Sequence, residues 1–289
     1  MIMDLQLTHL TGNLGVEISS IDLSHELEPS IQKSIHELWM ERELLVFRNQ
    51  NLTEEQFIRF CNGFGKLAKN YFFFDKESKE TSPIGKVIKE KGDKMNSGGI
   101  WHHDQGYYEE PVKGIMLYSV ELPSKGGDTM FTSSTLAYEK LSPAMKNIVK
   151  SLNVVHSTQL MLNKKNELKA LEKEKSVVSK VMDSMPLETA IHPAVCVNEL
   201  TGKPFLYVNR TTTLQFEGMS REESAGLLQF LYQHIERPEF NCRVRWEPGT
   251  LILWNNHQLL HYAVNDYNER RELYRLHFSS EKLKKYTGV

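Results

Sequence analysis

Apolar positions along the chain change period several times, and each change marks an element. Leu14, Val16 and Ile18 alternate with other residues, with Gly15 as a break, which predicts short half-buried strands within 5–23. In PSIQKSIHELWMER (29–42), Ile31, Ile35 and Leu38 recur at helical spacing. The run LLVFRNQ (44–50) is continuously apolar at its start and short, the pattern of a buried strand. TEEQFIRFC (53–61) opens with Thr53 and Gln56 placed as a capping box, and its helix should stop near Gly63 or Gly65.

Residues 75–99 read as a strand with loops, 112–121 as a strand, SKGGD as a turn, Thr129–Phe131 as the start of the next element, and 134–152 as a helix. Farther on, 205–210 reads as a strand and SREESAGLLQFLYQHI as a helix capped by Ser220 and Glu223. CRVRWEPGTLILWNN reads as strand, Pro-Gly turn, strand, and RRELYRLHF as a final strand. Many short strands with Gly or Pro turns and a few helices predict an all-β core, sandwich or barrel, with helices packed outside. The lysine-rich segment 163–185 departs from this pattern. It reads either as a solvated helix with Glu–Lys pairs or as part of a lid over a site, spanning about 160–190. No repeat at a solenoid or propeller period is present, and 1–289 is read as a single domain.

Composition narrows the partners. Lys plus Arg is 35 and Asp plus Glu 37, a net charge of -2 without long basic clusters, so no nucleic-acid or anionic-membrane surface is expected. The three cysteines are widely spaced and lack a CxxC pair, which argues against a disulfide framework or a zinc knuckle. No stretch reaches the ~20 apolar residues of a membrane span, and the first residues lack the basic-then-apolar order of a signal peptide. A cytoplasmic protein acting on a small molecule is the expectation, with association into a homo-oligomer left open.

The sharpest chemical feature is WHHDQGY at 101–107. On a strand, His102 and Asp104 would share a face, with His103 turned away. A third ligand must come from a distant strand, and His261 in LWNNHQLLHYAVNDY is the candidate. Two imidazoles and one carboxylate leave coordination positions open, as in non-haem Fe(II) oxygenases; Zn(II) could use the same donors. O2 activation at such a centre needs a cosubstrate as electron source. An α-keto acid chelating the metal leaves its other carboxylate free for an arginine fork. Arg271, ten positions after His261, fits that need, and Thr129 can add a hydroxyl. Arg275 shares a face with Arg271 by the period of two. The competing reading of Arg270, Arg271 and Arg275 is a charged edge strand.

These residues sit within a longer series: VFRNQ (46–50), FGKL (64–67), WHHD (101–104), ELPSKGGDT (121–129), AYEKLS (137–142), LYVN (206–209), RPEF (237–240), W-x-PGT-x-x-LWNN (246–256) and HYAVNDYNERRELYR (261–275). In this series the chain resembles the taurine dioxygenase family of Fe(II)/2-oxoglutarate oxygenases over nearly its whole length. The resemblance implies a double-stranded β-helix, or jelly roll, with outer helices. It implies His102, Asp104 and His261 as iron ligands, Thr129 and Arg271 as the 2-oxoglutarate carboxylate site, O2 as co-reactant, and Arg275 as the grip on an acidic substrate. Asn256 stands at the family's Asn of W-D-N, and Asn255 replaces its Asp. The carboxylate of Asp104 argues against halogenation, for which related enzymes carry a small residue there.

Two positions depart from taurine-using members. Asn70 and Tyr71 stand in the area where those members have a His, and Gly98 stands where they have an Asn. Aromatics at Tyr71, Phe72, Phe73, Phe74, Tyr107 and Tyr108 would either fill the core or line a pocket for a flatter substrate. With Arg275 kept, an organic acid is expected, oxidised by hydroxylation or desaturation. An aromatic amino-acid isonitrile such as tyrosine isonitrile, desaturated with loss of CO2, is the narrowest candidate. Asn70, Tyr71 and Tyr108 are its expected contacts. The alternatives are a taurine or other sulfonate dioxygenase, a jelly roll that binds without turnover, and a zinc hydrolase, for which no general base is evident.

Overall fold

Strands buried on both faces organise the molecule, and the run at 44–47 shows why. Leu45 and Phe47 join a core that includes Ile35, Trp39, Phe57 and Phe60 from two helices, while Leu44 and Val46 join a second core on the opposite face. A residue run that must be apolar on both sides reads as continuous rather than alternating. The structure is a computed structural model describing residues 5–68, 82–163 and 186–288.

Among these residues the chain begins β1 (Leu7–His9), β2 (Val16–Ile18), α1 (Pro29–Arg42), β3 (Leu44–Phe47), α2 (Glu54–Asn62), β4 (Gly85–Lys89), β5 (Val112–Glu121) and β6 (Thr129–Ser133). It continues α3 (Ser134–Glu139), α4 (Pro143–Ser151), β7 (Asn153–Ser157), β8 (Thr189–Pro193), β9 (Val195–Val197), β10 (Pro204–Leu206), β11 (Thr213–Phe216) and α5 (Arg221–Ile235). The last strands are β12 (Asn241–Val244), β13 (Leu251–Asn255), β14 (Leu259–Ala263) and β15 (Arg271–Ser280).

A seven-stranded sheet in the order β1-β2-β3-β13-β5-β15-β4 faces a three-stranded sheet in the order β12-β6-β14. Between them lie Leu44, Val46, Ile115, Leu117, Ile252, Trp254 and Leu273 from the larger sheet and Phe131, Cys242, Val244 and Leu259 from the smaller. Outside the larger sheet, α1 and α2 cover Leu45, Met116, Leu253, Leu276 and Phe278. Outside the smaller sheet, α3, α4, α5 and the β11-β7-β8 sheet form a third core that reaches Leu260. This is a mostly β protein with peripheral helices. No described helix is long and apolar enough to cross a membrane.

Helix starts follow the sequence signals. Thr53 with Gln56, and Ser220 with Glu223, form reciprocal capping boxes, and Gly63 caps the end of α2. Several sequence expectations change. Residues 134–152 form two helices: Ser142 caps the second through Met145 N, and Pro143 occupies its first turn, where a missing N–H costs nothing. Ladder pairing at 205–210 ends with Leu206, because Asn209 turns the chain by accepting hydrogen bonds from Thr211 N and Thr212 N. β12 and β13 lie in different sheets, so the Pro-Gly turn between them is a crossing between layers rather than a hairpin. β15 lies inside its sheet, flanked by β5 and β4, so its arginines do not decorate an edge. The bulk of 75–81 and 163–185, and the aromatics at 71–74, fall outside the described residues.

A layer of buried histidines supports the turn after WHHD. His192 Nε2 lies 3.0 Å from the carbonyls of both Gly106 and Tyr108, and His257 Nε2 lies 3.0 Å from the Pro111 carbonyl. His156 contacts Thr212 Oγ1 at 2.9 Å and the Tyr207 carbonyl at 3.2 Å. Burial drives His156 and His257 down to about 3, so both are neutral in the fold.

Two predictions test this arrangement. Phe47 is fully buried and edge-on to Phe60 at 5.5 Å, whereas Phe230 is 42% exposed on α5. Phe47→Ala should lower stability in urea denaturation by about 3–5 kcal/mol, and Phe230→Ala by no more than about 0.5 kcal/mol. The histidines also set a pH dependence. Their folded pKa lies below the unfolded value of about 6.5, so the unfolded chain binds more protons between the two values. Stability should therefore fall as pH drops below about 6.5, and the urea midpoint followed toward pH 4 should decline less steeply in His156→Phe.

Candidate metal and cosubstrate site

The site begins as a backbone pairing. His102 and His261 form an isolated antiparallel bridge in which each residue's N–H donates to the other's carbonyl, at 3.2 and 2.9 Å. Because β14 pairs with β6, with His261 opposite Phe131, the bridge attaches residue 102 to the open side of the smaller sheet. The two imidazoles are thereby cross-strand neighbours, with centroids 4.0 Å apart. Asp104 is not on a strand; it starts the turn 104–108, and its placement needs a further device. Asn256 supplies it. Its Nδ2 donates to the carbonyls of Asp104 and Val112, and its Oδ1 accepts from Asp104 N at 2.8 Å. The WNN motif thus clamps the backbone of the carboxylate residue.

Donor atoms of His102, Asp104 and His261 lie within 4.8 Å of one another. Asp104 Oδ1 is 3.4 Å from His102 Nε2 and 3.8 Å from His261 Nε2. His102 Nδ1 lies 2.7 Å from the Ile100 carbonyl, which holds the proton on Nδ1 and leaves Nε2 as a lone-pair donor. Burial, with the neighbouring His102 and Arg275, holds the His261 imidazole well below its usual range, so it is neutral. Burial pushes the Asp104 carboxyl up, but the Arg275 guanidinium and a hydrogen bond from His277 outweigh it and hold the group well below the usual carboxylate range. Two imidazole nitrogens and one carboxylate in this arrangement fit a divalent cation with open positions.

Odd-numbered residues of β15 enter the space between the sheets: Arg271, Leu273, Arg275 and His277. Arg271 is 4% exposed, and its Nε and Nη2 atoms have no hydrogen-bond partner among the described residues. Burial lowers its pKa, and the opposing influence of Tyr267 and Asp128 does not make up for it. Its guanidinium lies 5.4 Å from the Trp246 ring centroid, and Trp246 Nε1 donates to Thr129 Oγ1 at 3.0 Å. With Oγ1 accepting from Trp246, the Thr129 hydroxyl hydrogen is available to another acceptor. Trp246 thus contacts both the Arg271 guanidinium and the Thr129 hydroxyl, two groups that suit a carboxylate.

The structure brings the sequence candidates His102, Asp104, His261, Thr129, Arg271 and Arg275 into this inter-sheet space. Arg275 goes first to the cluster itself: its Nη1 lies 3.0 Å from Asp104 Oδ2. Tyr108 packs against Tyr107 at 4.8 Å between centroids. Asn70 and Tyr71 lie outside the described residues. Gly98 has φ +86° and sits against His102, where an added Cβ would come within 3.2 Å of the imidazole Cε1. His103 does turn away, stacking on Tyr207 at 4.7 Å. His277 was not singled out in the sequence, although it lies two positions beyond Arg275 on the same strand face.

Asn255 also acquires a structural account. Glu43 is fully buried and accepts from Ser133 Oγ and Gln258 Nε2, while Gln258 Oε1 accepts from Asn255 Nδ2 and Asn198 Nδ2. Burial pushes the Glu43 carboxyl up. An Asp at 255 would place a second carboxylate in this network; the neutral amide avoids that and donates instead.

The profile of the taurine catabolism dioxygenase TauD, TfdA family matches residues 6–277. An alkylsulfatase of Acinetobacter baylyi is 34% identical over 275 residues, spanning 94% of this chain and 83% of that protein. The alpha-ketoglutarate-dependent 2,4-dichlorophenoxyacetate dioxygenase of Cupriavidus pinatubonensis is 28% identical, spanning 90% of this chain and 92% of its own. The crystal structure of a taurine dioxygenase from Burkholderia xenovorans superposes with a TM-score of 0.81 at 27% identity, over 99% of this chain and 94% of that one. These likenesses decide against non-catalytic binding and establish an oxygenase that uses Fe(II), 2-oxoglutarate and O2. The chain belongs to the TauD, TfdA family of taurine catabolism dioxygenases.

Proposed function

We propose that this chain is a single-domain, double-stranded β-helix dioxygenase that oxidises a small organic anion, with His102, Asp104 and His261 as iron ligands. The observation that carries the reading is the pairing of two features between the same sheets: a donor triad within 4.8 Å and a buried arginine with unpartnered nitrogens. Bound Fe(II) with 2-oxoglutarate supplies O2 activation, the chemistry the polypeptide lacks.

The chain's own residues do the rest. Arg271 and Thr129 hold the distal carboxylate of 2-oxoglutarate. Arg275 supplies a guanidinium to the substrate's anionic group while keeping one nitrogen on Asp104. The walls between the sheets exclude water, so the substrate is presented in a fixed orientation.

A sulfate ester or sulfonate is supported by the likeness to the alkylsulfatase, and a carboxylate by the likeness to the phenoxyacetate enzyme. An aromatic amino-acid isonitrile is a narrow member of the second class. Both classes present oxygens that a guanidinium can bridge.

Two tests follow. Under anaerobic conditions, Fe(II) plus 2-oxoglutarate should produce a visible charge-transfer band. Asp104→Ala should abolish it, and Arg271→Ala should raise the 2-oxoglutarate concentration needed by a factor of about 10–100, the loss of one charge-assisted pair. A band of full intensity in Asp104→Ala would refute the ligand assignment. Separately, alkyl sulfates, sulfonates, aryloxy acids and tyrosine isonitrile should be screened for succinate release and product mass. Arg275→Ala should lose productive oxidation of whichever compound is used, with 2-oxoglutarate consumption persisting uncoupled; unchanged substrate KM would remove Arg275 from the substrate site.

A further inference from the structure

The two oxygens of Asp104 have separate surroundings. Oδ1 faces His102 Nε2 and His261 Nε2 at 3.4 and 3.8 Å. Oδ2 faces Arg275 Nη1 at 3.0 Å and His277 Nε2 at 3.2 Å. His277 is 2% exposed, and its other ring nitrogen, Nδ1, lies 3.4 Å from Gln105 Nε2. An amide nitrogen can only donate, so Nδ1 accepts and the ring proton sits on Nε2, directed at the carboxylate.

Gln105 reaches this position from a left-handed backbone, φ 61°, and is 4% exposed. A non-glycine residue held there, immediately after Asp104, is a local cost that the surrounding contacts must offset. The result is a relay across the sheets, from the Gln105 amide through the His277 imidazole to Asp104 Oδ2.

We propose that His277, oriented by Gln105, is a positioning residue that keeps Oδ2 occupied and presents Asp104 to the metal through Oδ1 alone. This rests on the triad being the metal site. It adds that the one-oxygen geometry does not depend on Arg275. A substrate anion can then draw on the Arg275 guanidinium without releasing Oδ2 to swing toward the metal, because the His277 donor remains. Substrate binding and metal geometry are thereby kept separate.

The test uses metal alone, without 2-oxoglutarate or turnover. The full-length protein, stripped with chelator, is titrated with Co(II) and followed by its visible absorption. His277→Leu should weaken Co(II) binding about 10- to 100-fold and alter the band shape, the usual cost of removing a group that orients a ligand. His277→Gln, which keeps an N–H donor, should recover most of the affinity. Gln105→Leu should weaken binding less, and the double variant His277→Leu/Gln105→Leu should be no weaker than His277→Leu, because Gln105 acts through the imidazole. If His277→Leu fails to fold, Gln105→Leu carries the test, and an unchanged Kd there overturns the proposal. Folded His277→Leu that binds Co(II) within about twofold of the unsubstituted protein, with the same spectrum, overturns it as well. Asp104→Ala in the same titration separates the two readings: if it also binds normally, the metal-site assignment itself is wrong, whereas loss there with no effect at His277 removes only the positioning role.

Discussion

The reciprocal backbone pairing of His102 with His261 is the contact on which the site depends. It joins a loop between β4 and β5 to a strand near the other end of the chain, and it does so with two main-chain hydrogen bonds rather than with side chains. Main-chain pairing specifies register strictly, since a slip by one residue would reverse the side-chain direction. The imidazoles therefore meet because their backbones are paired. Asp104 cannot be placed this way, since it lies just beyond the bridge, and the Asn256 clamp on its N–H and C=O takes over.

Charge is handled by pairing each buried ion or by leaving its partner's place to a ligand. Asp104 is ionised because Arg275 and His277 compensate its burial. Glu43 has its pKa raised by burial and is held by neutral donors. Arg271 differs: it is a buried guanidinium whose Nε and Nη2 find no hydrogen-bond partner among the described residues, the feature on which the proposed cosubstrate site rests. Burying a charge without a full set of partners is expensive.

The layers divide the labour. Even-numbered positions of β15 such as Leu276 and Phe278 enter the core under α1 and α2, while its odd-numbered positions carry the chemistry between the sheets. One strand thus ties the protein's stability to its site. The network of Glu43, Gln258, Asn255 and Asn198 secures the 255–258 turn from the side opposite Asp104, so the residue that clamps the carboxylate is itself held.

The sequence by itself determined which residues could do the chemistry and much of the layering. Residues with strong local signatures were legible: the capping boxes at Thr53 and Ser220, the doubly buried run at 44–47, the HxD pair, and arginines spaced by four on a period-two strand. Local sequence also carried the break at Ser142–Pro143, although helical periodicity ran across it. What only the tertiary structure decided depends on pairing between distant segments. That β12 and β13 part into different sheets, that Asp104 sits in a turn rather than a strand, that Asn256 grips its backbone, and that His277 and Gln105 complete its surroundings all follow from contacts between residues far apart in the chain. Local periodicity reports which face a side chain takes, and it holds no information about which other strand that face will meet.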